Sequence, residues 1–444
     1  MIEPARPVPA SADAVIIGAG VVGCSIALGL ARAGLAVVVV DRNKAVGAGS
    51  TSASSAVVRF HYSTRAGVIT AWESKFGWER WGDFLGHDDP AGLARYISTG
   101  GLVLESPSFP ADRVAGLFAE VGIPFERLSA AQLRDRFPAL DTGRYYPPRT
   151  LADERFWDDA SGEIGALWTP DGGYVHDPQL ATANLMNAAR AQGARLVLAT
   201  LVGAIETRAG RVTGVRVTGV GTEAGQVIRA PVVVNAAGPH SGRVNDLAGV
   251  REEFAISTRP LRQEVHYIAP PPGRPLSALT HVGDCDLGTY FRPEPGGGVL
   301  VGSQEPDCDP LEWLDDPDEY RPAVTAAAYE TQATRLGRRL PDLPVPPRPK
   351  GIAGVYDVSD DWIPVYDRTS LAGYYVAIGT SGNQFKNAPV IGQLMTALIT
   401  QCEAGRDHDT DPVIWRAART QLDVDLSHYS RLRQPHTSSG SVLG

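Results

Sequence analysis

The chain has 444 residues and a formal net charge of −9; 43% of the residues are hydrophobic and 20% are charged. These proportions are ordinary for a soluble globular protein and exclude a disordered, fibrous or coiled-coil chain. The length exceeds that of a typical domain of ~100–200 residues, so we expect two packed domains. The acidic balance and the absence of a dense Lys/Arg run argue against nucleic acid as a partner.

The four cysteines are scattered without a CxxC pair, so we predict neither a metal site nor a disulfide framework. We therefore expect reduced thiols in a cytoplasmic protein. The first residues lack the order of charged, apolar and small residues that a signal peptide has, and no apolar run reaches the ~18 residues of a membrane-spanning helix. We expect no export and no membrane span.

The first predicted elements form a βαβ unit. Residues 1–11 are rich in Pro and Ala and are predicted to form a loose arm. Residues 13–18 are predicted as a buried strand, 21–33 as a helix and 35–41 as a second buried strand. Glycines stand at the turn between the first strand and the helix.

A second α/β stretch begins near residue 177. The pattern predicts a helix, a strand, a hairpin and a further strand, at residues 179–192, 195–201, 204–218 and 228–235. Nearer the C-terminus, residues 374–379 are predicted as a strand and 388–401 as the helix after it.

Pro-rich, irregular and aromatic segments interrupt this α/β pattern, which indicates a second domain inserted into the first. The predicted fold class is α/β, α+β overall, with a Rossmann-like domain interrupted by a substrate domain that has a mixed or antiparallel sheet. The predicted parts are a nucleotide-binding domain (12–95, 176–256 and 346–425), a substrate domain (96–175 and 257–345) and loose termini (1–11 and 426–444).

The turn of the βαβ unit has the sequence Gly18-Ala-Gly20-Val-Val-Gly23, and Asp41 ends the next strand. In this context Gly18 permits the tight turn, Gly20 lets the backbone approach a pyrophosphate, and Gly23 allows close packing of helix on strand. The Asp41 carboxylate can accept hydrogen bonds from a ribose and disfavours the 2′-phosphate of NADP. NAD and FAD both fit this pattern. The predicted cofactor contacts here are Gly18, Gly20, Val22, Gly23, Asp41 and Arg42.

Three later segments resemble the family of FAD-dependent D-amino-acid, glycine and sarcosine oxidases. They are a small-residue loop at 47–59, the stretch Val234-Asn-Ala-Ala-Gly238-Pro, and Gly379-Thr-Ser-Gly-Asn-Gln-Phe-Lys386. The resemblance covers nearly the whole chain and implies FAD as the cofactor. Backbone N–H groups that enter a helix after residue 379 would also favour the anionic reduced flavin.

By this resemblance, residues of the three segments contact FAD together with two further positions. Val202 matches a backbone contact to adenine, and Gly354 lies where relatives approach the flavin. The implied FAD contacts are Ser50, Thr51, Ser54, Ser55, Ala56, Val202, Ala236, Gly238, Gly354, Gly379, Ser381, Gly382, Asn383, Gln384, Phe385 and Lys386.

Within the family, the run Ser54-Ser-Ala-Val-Val-Arg59 is most similar to sarcosine oxidases, including the β subunit of the heterotetrameric type. The resemblance implies that Arg59 and Lys386 bind the substrate carboxylate on one flavin face. A guanidinium suits this role because it can donate two parallel hydrogen bonds to a carboxylate. The alternative for Arg59 is a structural ion pair.

The chain also departs from the family pattern. Tyr356 stands where glycine and D-amino-acid oxidases have an arginine, which argues against those two activities. Gly354 and Ala53 replace the residues through which some relatives attach flavin covalently. We therefore expect noncovalent FAD.

Three residues of the second domain fall at family active-site positions. Tyr290 lies near an active-site tyrosine, Gln304 replaces a histidine, and Leu300 replaces a lysine that promotes the reaction of reduced flavin with oxygen. Loss of that cation removes electrostatic stabilisation of developing superoxide. The predicted catalytic residues are Arg59, Lys386, Tyr290, Gln304 and Tyr356.

These observations predict an enzyme that oxidises the C–N bond of a secondary amine or N-methyl amino acid by hydride transfer to flavin, followed by hydrolysis of the imine. Two alternatives stay open: a dehydrogenase that passes electrons to another acceptor, such as a carrier protein, and a flavin-binding subunit that acts only with a partner subunit. An NAD enzyme is a third alternative. The expected ligand is a small amine or amino acid.

Overall fold

The computed structural model describes residues 8–219, 225–270, 273, 276 and 279–442. A six-stranded sheet forms one half of the molecule. In spatial order its strands are Val365–Arg368, Tyr374–Ile378, Val232–Asn235, Ala14–Ile17, Val37–Val40 and Arg195–Val197. All neighbouring pairs are parallel except Val365–Arg368 with Tyr374–Ile378.

Both faces of this sheet are covered, which explains its continuous apolar strands. Ile16, Val39 and Val234 point into a core formed with the helices Val21–Arg32, Pro178–Ala191 and Ala388–Glu403. The alternate residues point into a second core shared with a three-stranded antiparallel sheet. That sheet contains Thr200–Arg208, Arg211–Gly219 and Gly225–Arg229.

The second half is built on a nine-stranded mixed sheet. The strand order is Glu312–Trp313, Thr258–Ile268, Val299–Ser303, Thr289–Pro293, His281–Asp284, Gly101–Leu104, Ala166–Thr169 and Glu126–Leu128, and Gly351–Ser359 also pairs with Thr258–Ile268. The pairing of His281–Asp284 with Gly101–Leu104 is parallel and the other pairings are antiparallel. The predicted fold class is confirmed.

The remaining elements lie around these sheets. The other helices are Arg65–Glu79, Trp81–Leu85, Ala111–Val121, Ala130–Arg136, Ser241–Ala248 and Ala326–Arg339. Two small sheets contain Val57–Val58, Gly173–Val175 and Tyr96–Ser98, and Ile414–Arg416 with Asp423–Asp425. Short 3-10 helices span Ser50–Ala53, Glu154–Trp157, Gly238–His240, Arg251–Glu253, Phe385–Asn387 and Leu426–Tyr429.

Two strands predicted as continuous are broken. The strand at 195–201 divides at Ala199, which has a φ of 51°, so that its halves join different sheets. The strand at 228–235 divides at Pro231, which has no N–H to donate to a ladder. In both cases the break moves the chain from one sheet of the nucleotide half to the other.

The predicted domain boundaries need three corrections, two in the ranges described first and one at the C-terminal segment. Gly351–Ser359, predicted in the nucleotide-binding part, pairs along its length with Thr258–Ile268 and therefore belongs to the mixed sheet. Residues 8–11 of the predicted loose arm are attached, because Ala10 O accepts from Arg229 N–H at 3.1 Å; residues 1–7 lie outside the described residues.

The segment from residue 426 to 442 is packed rather than loose. Arg433 is buried and its guanidinium lies 2.8 Å from the Asp361 carboxylate. Arg431 pairs in the same way with Asp367, at 3.1 Å. Buried arginines need such partners, and this pairing fixes the segment against the rest of the protein.

Candidate active site

In the glycine turn, there is space for a side chain at the middle glycine, Gly20, but not at Gly18 or Gly23. A Cβ at Gly18 would lie 2.3 Å from Ala236 O, and one at Gly23 would lie 1.9 Å from Gly18 O. A Cβ at Gly20 would meet only Thr51 Oγ1, at 3.4 Å. Gly18 and Gly23 therefore serve packing, whereas Gly20 leaves space at the N-terminus of the helix Val21–Arg32, where a pyrophosphate can approach.

Neighbouring groups hold this turn in place. The Asp41 carboxylate accepts from Ala19 N–H at 2.6 Å, and Thr51 Oγ1 accepts from Val21 N–H at 3.1 Å. Val22 is buried in the helix beside the turn. Strand end, small-residue loop and helix start thus meet at one point, as a dinucleotide site requires.

Two predicted cofactor contacts have side chains directed elsewhere. The Arg42 guanidinium donates two hydrogen bonds, of 3.0 and 2.6 Å, to the Asp318 carboxylate. Its charge is therefore paired with a residue of the second half of the protein. The side chain of Val202 lies in the core between the two sheets. Any contact of these residues with FAD would have to use the backbone.

The small-residue loop is anchored to the mixed sheet. Ser50 Oγ donates to Val355 O at 2.6 Å, and Ser55 Oγ lies 3.0 Å from the Tyr290 hydroxyl. The buried Arg292 donates to Ser55 O at 2.6 Å. Arg292 was not predicted as a site residue, because a single arginine within a strand has no motif around it.

The positions at which some relatives attach flavin face each other. A Cβ at Gly354 would lie 2.7 Å from the Cβ of Ala53. A larger side chain at position 354 would therefore require Ala53 to move.

The turn after the strand Tyr374–Ile378 is held by Asp357. The Asp357 carboxylate accepts from Gly379 N–H at 2.6 Å, and its backbone carbonyl accepts from Ser381 N–H at 2.7 Å. Gly379, Ser381 and Gly382 have φ values of 64°, 48° and 68°. This left-handed turn leads through Phe385–Asn387 into the helix Ala388–Glu403, as the flavin-binding prediction requires.

Burial raises the pKa of the Asp357 carboxyl to about 7, although the Gly379 N–H lowers it. Because the folded pKa lies above the unfolded value, the stability that Asp357 contributes is present at acid pH and is lost as the pH rises towards 7. We expect Asp357→Asn to raise the melting temperature at pH 8, with the difference from wild type disappearing below pH 4. Thermal melts across this range measure it; a constant difference at all pH values would contradict it.

Lys386 and Arg59 lie in one cavity. Lys386 Nζ donates to the Tyr62 hydroxyl at 2.7 Å and to Asn383 O, and Arg59 donates to His61 O and Val442 O. Burial and the nearby Arg59 hold the pKa of Lys386 well below its usual range. The cavity lining comprises Ser54, Ser55, Val57, Arg59, His281, Tyr290, Gln304, Tyr356, Gly382, Asn383, Phe385, Lys386 and Val442.

All five predicted catalytic residues line this cavity. Tyr290 and Tyr356 interact through their hydroxyls, and the Tyr356 ring fills the space where a Gly382 Cβ would stand, at 2.3 Å. Gln304 Oε1 and His281 Nδ1 are buried without a hydrogen-bond partner in the described residues. The cavity therefore offers two basic side chains, two hydroxyls and unsatisfied polar atoms to a small polar ligand.

The remaining residues predicted to contact FAD lie in different parts of the site. The Ala236 carbonyl oxygen lies 2.3 Å from where a Gly18 Cβ would stand, and no atom lies within 4 Å of a Cβ at Gly238. Gln384 accepts from the Tyr366 hydroxyl at 3.1 Å and Phe385 stacks on Trp78. Ser54 Oγ accepts from Ala56 N–H at 3.0 Å, which stabilises the positive φ of Ala56.

Among the described residues, no group of three or more His, Cys, Asp or Glu side chains is placed to hold a metal ion. In the same part of the chain no helix is both long and apolar enough to cross a membrane.

The sequence matches the family model described as "DAO: FAD dependent oxidoreductase" over residues 13–398. The chain belongs to this family. It is an FAD-dependent oxidoreductase, and the predicted cofactor and family are confirmed. The open face of Gly20 at a helix N-terminus fits a pyrophosphate.

Two curated relatives and one solved structure show the range of similarity. The chain is 26% identical over 423 residues to FAD-dependent oxidoreductase domain-containing protein 1 of Bos taurus, covering 88% of this chain and 82% of that protein. It is 26% identical over 331 residues to mitochondrial sarcosine dehydrogenase of Mus musculus, covering 71% of this chain and only 31% of that longer protein. The structure of L-proline dehydrogenase from P. horikoshii matches with a TM-score of 0.74 and 22% identity over 96% of this chain and 98% of that one.

Proposed function

We propose that the protein oxidises the C–N bond of a secondary amine or N-methyl amino acid in the cavity formed by Arg59 and Lys386. The observation that carries the proposal is that these two buried basic side chains, from segments far apart in sequence, line one cavity together with Ser55 and Gly382. The names of the sarcosine and proline dehydrogenases among the similar proteins support the same substrate class.

The charges of the cavity favour a ligand with a carboxylate. Burial disfavours the charged form of Lys386, and an anion beside it offsets this cost. The Arg59 guanidinium is 5% exposed and can donate directed hydrogen bonds to the same anion. In this proposal the two cations orient the substrate and the Tyr290 and Tyr356 hydroxyls close the opposite side.

FAD, when bound, would supply the two-electron acceptor for oxidation of the C–N bond to an imine, which water would hydrolyse, and Arg59 and Lys386 would hold the substrate beside it. The final acceptor is oxygen or another oxidant, such as a carrier protein. Leu300 provides no cation to assist oxygen, which favours slow oxidase behaviour. Oxygen consumption compared with reduction of an artificial acceptor would distinguish the two cases.

Anaerobic mixing of the purified protein with N-methyl amino acids, secondary amines, D-amino acids and L-proline tests the proposed function. We expect one of the first two classes or L-proline to bleach the bound flavin. If dithionite bleaches it and no amine does, the chain either needs a partner subunit or does not act on amines. Repeating the panel in a lysate of the source cells separates these outcomes.

We also propose that FAD is bound noncovalently, because Gly354 and Ala53 have no side-chain sulfur or nitrogen that could form the covalent link at those positions. Acid precipitation is expected to release the yellow colour into the supernatant. A yellow pellet would contradict this prediction, and His61 would then be the first attachment site to examine.

A further inference from the structure

The last described residues of the chain lie against the proposed substrate site. Val442 lines the cavity that contains Arg59 and Lys386, and its carbonyl oxygen accepts a hydrogen bond from Arg59 Nη2. The Val442 side chain packs against an apolar cluster that includes Leu261 and Trp362. The protein's own main chain therefore engages the guanidinium that the proposed function assigns to a substrate carboxylate.

The way in which the chain is attached changes after residue 433. Arg431 and Arg433 are buried and form ion pairs with Asp367 and Asp361, which fix the chain up to this point. Residues 434–442 have the sequence Gln-Pro-His-Thr-Ser-Ser-Gly-Ser-Val, which is polar apart from its proline, glycine and valine. A segment that buries little apolar surface opens locally at a small cost in free energy.

Asp361 holds the 434–442 segment at two points. The His436 N–H donates to the Asp361 carboxylate at 3.2 Å, and Ser439 Oγ donates to the Asp361 backbone carbonyl at 2.6 Å. The His436 ring also packs on the ring of His428, with 4.8 Å between the centroids. Thr437 lies between these attachment points and is exposed. A substitution at Ser439 can therefore loosen the segment, and one at Thr437 can serve as its control.

We propose that the 434–442 segment is an intramolecular competitor of the substrate and must leave Arg59 before a substrate carboxylate can bind there. The inference rests on the proposed function, because it takes Arg59 as the carboxylate site. It divides substrate binding into two events, which are the release of the segment and the binding of the carboxylate.

The chemistry of the two ligands favours this exchange. The Val442 carbonyl is neutral, whereas a carboxylate adds the attraction of opposite charges and can accept two hydrogen bonds from one guanidinium. A substrate can therefore displace the segment. Because only the open form binds substrate, the segment lowers the apparent affinity in proportion to the fraction of molecules that are open.

The first test measures amide hydrogen exchange of the wild-type holoenzyme with saturating propionate or with propionamide. Propionate has a carboxylate but no amine, and propionamide has nearly the same shape without the charge. We expect the amides of the 434–442 segment to exchange about 10-fold faster with propionate, and those of residues 426–433 to be unchanged. Equal or slower exchange with bound propionate would overturn the inference, because the segment would then be a fixed wall of the site.

The second test compares propionate binding by wild type, Ser439→Asp and Thr437→Asp, measured from the absorption of the bound flavin. Aspartate at position 439 has no hydroxyl to donate to Asp361, and its charge is repelled by that residue's carbonyl and carboxylate. We expect Ser439→Asp to bind propionate about 10-fold more tightly than wild type, and Thr437→Asp to bind it like wild type.

Hydrogen exchange shows whether Ser439→Asp releases the segment. If it does not, His436→Pro/Ser439→Asp also removes the N–H that donates to the Asp361 carboxylate. A released segment with equal or weaker propionate binding would overturn the inference.

The tests separate a failure of this inference from a failure of the proposed function. If propionate binds wild type without faster exchange in the segment, the inference is wrong and the proposed function stands. If propionate speeds the exchange but no amine reduces the flavin, the proposed oxidation is wrong and the inference stands. If propionate binds neither wild type nor Ser439→Asp, Arg59 is not a carboxylate site and both are wrong.

Discussion

Gly20→Val is expected to fold like wild type and to lose FAD. A Cβ at position 20 meets only Thr51 Oγ1 at 3.4 Å, so the folded protein can accommodate the side chain. The valine methyl groups would instead occupy the space through which the backbone approaches the pyrophosphate. Flavin absorbance per mole of protein should fall to the background, whereas circular dichroism should be unchanged.

Two other glycine variants control this experiment. Gly116 is an exposed residue of the helix Ala111–Val121 with nothing near the position of its Cβ, so Gly116→Val should retain FAD. Gly23→Val should not fold normally, because its Cβ would stand 1.9 Å from Gly18 O. A Gly20→Val protein with a full complement of FAD would show that the pyrophosphate is bound elsewhere.

Arg59→Met is expected to raise the substrate concentration needed for flavin reduction by about 10–150-fold, from the loss of a charge-assisted contact worth ~1.5–3 kcal/mol. FAD content should stay near normal, since Arg59 contacts His61 and Val442 rather than the glycine turn. Anaerobic titrations followed by flavin absorbance measure the change.

Arg339→Met is the matched control for Arg59→Met, because Arg339 is a buried arginine with a structural role. Arg339 is fully buried and paired with Asp284 and Asp286, at 2.8 and 3.0 Å. Removing its charge leaves two buried carboxylates without a partner, so we expect a lower melting temperature. The apparent substrate affinity per bound flavin should not change. If Arg59→Met behaves like Arg339→Met, Arg59 has a structural role.

The nucleotide half could be predicted because its signals are local. Buried parallel strands show as continuous runs of valine, and the glycine turn between strand and helix follows from backbone sterics. The break at Ala199 was missed because apolar residues continue on both sides of it, at Leu196-Val197 and Leu201-Val202. Pro231, in contrast, is a local signal for a break, and the prediction of one continuous strand did not use it. The pairing of Gly351–Ser359 with Thr258–Ile268 joins distant segments and leaves no local pattern.

The site could be predicted where loops carry recognisable motifs. Arg59 and Lys386 belong to such loops, and the structure brings both to one cavity. Arg292 has no motif around it, and its position depends on how strands of the mixed sheet align. The partner of Arg42 is likewise a residue of the other half, which the sequence alone could not identify.

Arg59 is proposed to hold a substrate carboxylate beside the flavin. The most direct test is an anaerobic titration of wild type and Arg59→Met with an N-methyl amino acid and with its carboxamide. If Arg59 binds the carboxylate, the mutation should weaken binding of the acid much more than binding of the amide, because only the acid loses a charged contact. Equal losses for both ligands would contradict the claim, and the substrate would then be a neutral amine.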